Sequence, residues 1–189
     1  MICWNCREPV GGAVCPGCGK LQPPPSDADH FALLGLPRTG GFEPREVDKA
    51  WRKLTRTTHP DRFAGGRAVE KRMAQQWTAR AMDARAVLRD PIRRALYLAT
   101  GSGDLPEQGG PHVGDDFLER MFELQMAARM GEDGVLEQVD TIENQLRARL
   151  NEVLAHFDVT GEGLNGIPAL IARLRYLRTA RKLASTASE

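Results

Sequence analysis

Four cysteines near the amino terminus have the spacing of a metal site. The pattern C-x2-C-x8-C-x2-C is formed by Cys3, Cys6, Cys15 and Cys18. Each pair can present two thiolates from one tight turn, and two such turns complete a tetrahedral S4 cage of the kind that suits zinc. Gly17 and Gly19 suit the second turn. Because protein fills all four positions, we predict one structural zinc ion and no open position for catalysis.

Four other uses of the four cysteines stay open on spacing alone. One is a redox pair, although two symmetric pairs favour a metal. Two disulfides are disfavoured because the opening residues MICWNC carry no secretion signal. Iron in the same cage would give an electron carrier. A nucleic-acid-binding module is a further alternative, although Arg7 and Lys20 are its only cations.

A second candidate site is a His-Pro-Asp tripeptide that follows a basic amphipathic helix. Cations recur on one helical face at Arg45, Lys49, Arg52 and Arg56, with Lys53 beside them. Proline ends the helix, so His59-Pro60-Asp61 is expected to form an exposed turn. No nucleophile, second acid or phosphate loop accompanies this histidine, so we predict that the protein is not an enzyme. On its own, the tripeptide is equally compatible with a simple loop. The basic stripe fits either an ordinary solvated face or a steering surface for an acidic partner.

The apolar spacing predicts a mainly α-helical chain. Helices are expected at 30–36, from Pro44 through the basic stripe, from Val69 to about Asp90, near 115–130, and around the apolar runs 136–157 and 167–183. We predict four segments: a cysteine module with short β-hairpin turns and a Pro-rich linker (1–25), a helical domain (26–100), a linker (101–114) and a three-helix bundle (115–189).

The composition is that of an ordinary globular protein with a formal net charge of +1. This balance argues against a general nucleic-acid binder, and no apolar run reaches the roughly 18 residues of a membrane span. A cytoplasmic protein without nucleic-acid or membrane partners is the expectation.

The first helix of the bundle carries two apolar stripes. One stripe suits the bundle core and consists of Phe117, Met121, Leu124 and Ala128. The other consists of Leu118, Phe122, Met126 and Met130. One helix of a small bundle rarely buries both stripes, so we expect the second to be an exposed partner surface, with packing against the preceding domain as the alternative.

The order of these motifs resembles the HscB (Hsc20) family of J-domain co-chaperones. His30–Pro37, Trp51–Phe63, Pro91–Leu98 and Phe117–Leu124 are similar to that family's opening, HPD loop, junction and scaffold-binding bundle. The cysteine module resembles a zinc module found on some members. The resemblance therefore implies a J-domain at 26–100 followed by a scaffold-binding domain.

The resemblance implies a function in iron–sulfur cluster assembly. Members bind an IscU-type cluster scaffold and stimulate the ATPase of an HscA/DnaK-type chaperone. The implied chaperone contacts are His59, Pro60, Asp61, Arg52, Lys53, Arg56 and Arg62. The implied scaffold contacts are Leu118, Glu119, Phe122, Glu123, Met126, Met130 and Tyr176.

Two departures from the family pattern qualify this resemblance. Met126 and Met130 stand where acidic residues are expected, which leaves a different client protein as an alternative. Met82-Asp83-Ala84-Arg85 replaces an Asn-x-Ala-aromatic pattern, and we interpret it as local repacking. For the cysteine module, docking within the chain and homodimer formation are the favoured roles.

Overall fold

The computed structural model describes residues 1–187, so the last two residues of the predicted bundle lie outside the described part. Over that part, seven α-helices and a small cysteine module confirm the mainly helical fold class. The chain divides into two compact units. Met1–Arg38 and Phe42–Pro91 form the first, and Thr39–Gly41 and the residues from Ile92 onward form the second. Each unit is described by itself below.

The amino-terminal module holds very little regular structure. Two isolated antiparallel bridges, Ile2 with Pro9 and Val14 with Leu21, close its two turns. Its buried cluster consists of Cys3, Val10 and Cys15. So small an apolar core cannot offset the entropy of ordering the chain, so the module needs a crosslink or a bound metal.

The first unit continues with three helices, α1 (His30–Leu34), α2 (Pro44–Thr58) and α3 (Ala68–Arg89). α1 is shorter than the spacing predicted, because Gly35 adopts a left-handed conformation (φ 67°) and ends it. Pro44 occupies the first turn of α2, and a capping box between Glu43 and Glu46 fixes that end.

The core of the first unit lies between α2 and α3. α2 buries Val47, while α3 buries a stripe at helical spacing that consists of Ala74, Trp77, Ala81, Ala84 and Leu88. At the edge of this contact, Asp48 accepts hydrogen bonds from Arg85 at 2.7 Å and Arg89 at 3.3 Å. The packing fixes α2, and with it the turn that follows, on the longer α3.

The second unit contains α4 (Pro91–Thr100), α5 (Asp115–Met130), α6 (Val135–Thr160) and α7 (Ile167–Ala187). The last three pack as a bundle whose core includes Met121, Val139 and Leu177, and Ile92 of α4 packs against it. Glycines in the left-handed conformation, Gly131 and Gly161, end α5 and α6. None of the helices in the described residues is long and apolar enough to cross a membrane.

Candidate functional site

The structure brings the four predicted metal ligands together. Their sulfur atoms all lie within 4.8 Å of one another, and none of the four forms a disulfide. Two sulfur pairs approach more closely, Cys6 with Cys15 at 3.5 Å and Cys3 with Cys18 at 3.7 Å. Two thiolates bound about 2.3 Å from one tetrahedral zinc ion lie roughly 3.8 Å apart, whereas a disulfide needs about 2.05 Å. The cluster therefore fits a single tetrahedral metal ion.

Matching backbone turns present the two cysteine pairs. The Cys3 N–H donates to the Glu8 carbonyl at 2.9 Å, and the Cys15 N–H donates to the Lys20 carbonyl at 2.9 Å. Each turn needs a left-handed residue, Arg7 (φ 68°) in the first and Gly19 (φ 69°) in the second. The local twelve-residue repeat is not evident in the sequence, because the two turns share little beyond their cysteines.

The electrostatics of the cluster call for a cation. Burial raises the pKa of the Cys3 thiol, but backbone hydrogen bonds from Cys6 and Asn5 outweigh it and bring the pKa to about 6. A backbone hydrogen bond from Glu8 lowers the pKa of Cys6, but burial and the three neighbouring sulfurs raise it to about 12. One thiolate thus forms readily and a second does not, because their charges repel each other. A divalent ion at the centre removes this repulsion.

Gln22 is a contributor to the cysteine site that the sequence analysis missed. It is fully buried, and its Nε2 donates to Cys3 Sγ at 3.4 Å. Its Oε1 accepts from the Trp4 N–H at 3.3 Å, and the Trp4 ring Nε1 donates to the Leu21 carbonyl at 2.7 Å. Trp4, whose role the sequence left open, therefore packs within the module. In the sequence, the position of Gln22 between Leu21 and three prolines gives little indication of this role. The contacts in the fold show it.

The His-Pro-Asp turn lies at the end of α2 and is accessible. Pro60–Phe63 form one short 3-10 turn, with His59 as its cap. The His59 Nδ1 accepts from the Asp61 N–H at 3.3 Å, so the imidazole orders the turn. The Asp61 carboxylate is 90% exposed and lies 3.5 Å from the same nitrogen. The turn thus leaves the Asp61 carboxylate accessible from solvent.

The cations of α2 and the following turn are available to a partner. Arg52, Lys53, Arg56 and Arg62 are all exposed. Among the described residues, none of these four forms an ion pair within 4.0 Å; Arg52 donates only to the Asp48 backbone carbonyl at 3.2 Å. Unpaired cations on one helix face attract an acidic surface without first having to break an internal contact.

The second apolar stripe of α5 is exposed along its length. Phe122 and Met130 are 66% and 73% exposed, and Leu118 and Met126 are 37% and 39% exposed. The core stripe of the same helix, in contrast, buries Met121, Leu124 and Ala128. Exposed apolar side chains in such a row are unusual on a monomer surface and indicate a partner.

The remaining predicted scaffold contacts are one residue of α7 and two acidic residues of α5. Tyr176 of α7 is 44% exposed, and its ring meets that of Phe117 edge-on at 6.4 Å. Glu119 is exposed, whereas Glu123 pairs with Arg120 on its own helix at 2.9 Å. One acidic side chain of the predicted surface is therefore already partnered.

Sequence comparison relates the chain to bacterial co-chaperones. It is 42% identical over 96 residues to the "Co-chaperone protein HscB homolog" of Bordetella pertussis (strain Tohama I). That match covers 50% of this chain and 56% of the relative, so the chain spans little more than half the length of that relative. A longer match, to the HscB homolog of Azoarcus sp. (strain BH72), has 31% identity over 157 residues, which is 82% of this chain and 89% of the relative.

Structure comparison supports the same fold. The crystal structure of the human co-chaperone protein HscB matches 100% of this chain and 98% of its own, with a TM-score of 0.75 and 22% identity. At that identity the likeness concerns the fold alone. No protein-family model matches the chain.

Proposed function

The chain belongs to the HscB co-chaperone family, and we propose that it delivers an IscU-type iron–sulfur scaffold to an HscA/DnaK-type chaperone and stimulates that chaperone's ATPase. The observation that carries the proposal is the exposed His59-Pro60-Asp61 turn at the end of a helix with unpaired cations. The role is non-catalytic, and the chemistry belongs to the chaperone. The proposed compartment is the cytoplasm.

The first unit is the proposed chaperone-binding and ATPase-stimulating region. Arg52, Lys53, Arg56 and Arg62 steer the docking of an acidic surface, because opposite charges raise the rate of encounter. Asp61, held outward by the cap at His59, then pairs with a cation of the chaperone. The proposed J-domain covers residues 26–100, of which Thr39–Gly41 and 92–100 belong to the second unit.

The second unit is the proposed scaffold-binding region, with its bundle at 115–189 after a linker at 101–114. We assign scaffold contact to the exposed stripe of α5 together with Glu119, Glu123 and Tyr176. Methionine side chains adapt to irregular partner surfaces, and Met126 and Met130 replace the acids expected in the family. A contact of this kind is less sensitive to salt than a charged one.

The proposed ion in the cysteine site is one structural zinc, held by all four thiolates with no open position. It supplies folding free energy to a module of residues 1–25 that has almost no core of its own. Visible absorbance of the purified protein tests iron as the alternative. A nucleic-acid role is not favoured, because Lys20, one of the module's two cations, pairs with Glu70 at 3.1 Å.

The test is ATP hydrolysis by the cognate chaperone with and without the scaffold, comparing wild type with His59→Gln. We expect wild type to stimulate hydrolysis and the scaffold to increase that stimulation. The substitution should abolish both effects while leaving scaffold binding intact, because the turn lies in the other unit. The same substitution at another exposed histidine, His112→Gln, is the control for nonspecific surface effects.

Two results would change the proposal. Stimulation without any contribution from the scaffold would favour a different client on the stripe that includes Met126 and Met130. A wild-type protein that gives no stimulation of its cognate chaperone would contradict the co-chaperone role itself.

A further inference from the structure

A short segment that follows the last cysteine runs along α3 and is attached to it at three levels. The Lys20 ammonium lies 3.1 Å from the Glu70 carboxylate, at the first turn of the helix. The Trp77 ring Nε1, near the middle, donates to the Gln22 carbonyl at 2.8 Å. Farther along, the Arg80 guanidinium donates to the carbonyls of Pro25 and Ala28. The three prolines therefore do not hold the module away from the helix.

Gln22 is the residue in this segment that touches both the cysteine cage and α3. Every polar group it has is used: besides the bonds to Cys3 Sγ and Trp4, its Nε2 donates to the Lys20 carbonyl at 2.8 Å and its N–H to the Ala13 carbonyl at 2.8 Å. The remaining group, its carbonyl, accepts the buried Trp77 N–H. A fully buried and fully hydrogen-bonded amide of this kind fixes the geometry of everything it contacts.

The ion pair between Lys20 and Glu70 lies at the start of α3. The Glu70 side chain is only 3% exposed, and the same carboxylate accepts from the Arg67 N–H at 3.3 Å as part of the helix cap. A buried carboxylate needs a compensating cation, and among the described residues the pairing partner within 4.0 Å is Lys20. The capped end directly follows the His-Pro-Asp turn and the short loop to Gly66, whose N–H donates to the Phe63 carbonyl at 2.9 Å.

We propose that Gln22 and Lys20 are positioning residues that connect the cysteine cage to α3, so that an ion held by the cage stabilises the J-domain as well as the module. The inference rests on the proposed metal site, and it does not require the proposed chaperone activity. Without an ion, the small buried cluster of Cys3, Val10 and Cys15 leaves the module poorly ordered. The Lys20–Gln22 segment then loses its anchor, and α3 loses both an acceptor for Trp77 and the cation beside Glu70.

Hydrogen exchange on the full chain tests this coupling, with zinc bound and after removal of zinc by a chelator. Zinc binding to the wild type is measured first, so a failure of the metal site itself is recognised separately. We expect the amides of α3 from Glu70 to Arg80 to exchange about tenfold faster without zinc, because a buried contact is lost. The amides of α6 and α7, in the other unit, serve as the internal reference and should not change.

Two glutamine variants separate coupling from metal binding. Gln22→Met keeps the volume but removes the side-chain hydrogen bonds, and we expect it to bind zinc while losing most of the zinc-dependent protection of α3. Gln76→Met, at an exposed position on α3, is the matched control and should behave as wild type. If Gln22→Met does not bind zinc, Lys20→Met tests the second connection at Glu70 in the same way.

Two results would overturn the inference. One is equal exchange of the α3 amides with and without zinc in wild type. The other is a Gln76→Met variant that loses protection as fully as Gln22→Met, which would mean that the effect does not pass through the buried amide.

Discussion

At the scale of single residues, Asp48 joins α2 to α3 through two arginines. Partial burial raises the pKa of its carboxyl, but the hydrogen bond and charge of Arg85, helped by Arg89, outweigh this and hold the pKa below its usual value. Arg85 also stacks on the Trp51 ring, with its guanidinium carbon 4.8 Å from the ring centroid. One arginine thus provides an ion pair and an aromatic contact between the two helices.

The lowered pKa of Asp48 predicts a pH-dependent contribution to stability. A carboxyl whose pKa is lower in the folded than in the unfolded protein stabilises the fold above its unfolded pKa, and the contribution disappears as pH falls through the folded value. We therefore expect Asp48→Asn to lower the urea midpoint of the first unit at about pH 7 and to approach wild type near about pH 2. Asp83→Asn, at an exposed position of α3, should follow wild type throughout. A constant difference across this range would contradict the ion-pair explanation.

Residue-level spacing predicted the ligands but not the residues that support them. The four cysteines could be predicted as metal ligands from the sequence, because each C-x2-C pair lies within a single turn. The roles of Gln22 and Arg85 could not be predicted from spacing, because each contacts a residue that is distant in the chain. Gln22 contacts Trp77, and Arg85 contacts Asp48. The replacement at Met82–Arg85 was interpreted as local repacking. In the structure, Arg85 of this segment forms an ion pair with Asp48 and a ring contact with Trp51, both on α2.

At the scale of elements, periodicity predicted the helices well and their ends less well. Apolar spacing identified α2, α3, α5, α6 and α7 because each buries one face. The end of α1 was placed two residues too late, since Gly35 ends the helix by its backbone conformation and not by an apolar pattern. Residues 91–98, which the resemblance implies to be a junction, form most of α4, and that helix ends at Thr100. On α5, spacing alone separated the buried stripe from the exposed one.

The cationic face of α2 carries a kinetic prediction. Because Arg52 and Arg56 are exposed and unpaired, their charges act at long range on an acidic partner surface. We expect Arg52→Ala/Arg56→Ala to slow association with the chaperone about tenfold at low salt and to flatten the dependence of that rate on salt. Stopped-flow or biosensor rates at several ionic strengths measure this. The paired arginines of α6, Arg147 and Arg149, replaced together by alanine, are the charge-matched control. Equal slopes in both double variants would exclude steering by α2.

At the scale of the whole molecule, delivery requires two binding surfaces on one chain. The proposed chaperone contacts lie in the first compact unit and the proposed scaffold contacts in the second. A scaffold held by the bundle is kept at a high effective concentration near a chaperone held by the turn, which two separate molecules cannot achieve. Because both surfaces are required, the proposed function rests on the order of the two motifs along the chain and on neither motif alone.

A mixing experiment follows from this requirement. Phe122→Ala removes the central exposed ring of the α5 stripe, and we expect it to weaken scaffold binding about tenfold or more while leaving scaffold-free ATPase stimulation unchanged. Val159→Ala, at an exposed apolar residue of α6 outside the stripe, is the control. His59→Gln, in contrast, should bind the scaffold normally but fail to stimulate ATP hydrolysis. An equimolar mixture of Phe122→Ala and His59→Gln should therefore show no enhancement of hydrolysis by the scaffold, because no molecule in it carries both intact surfaces. Enhancement restored by mixing would mean that the two surfaces can act from different chains, as in a homodimer, and would contradict delivery by a single chain.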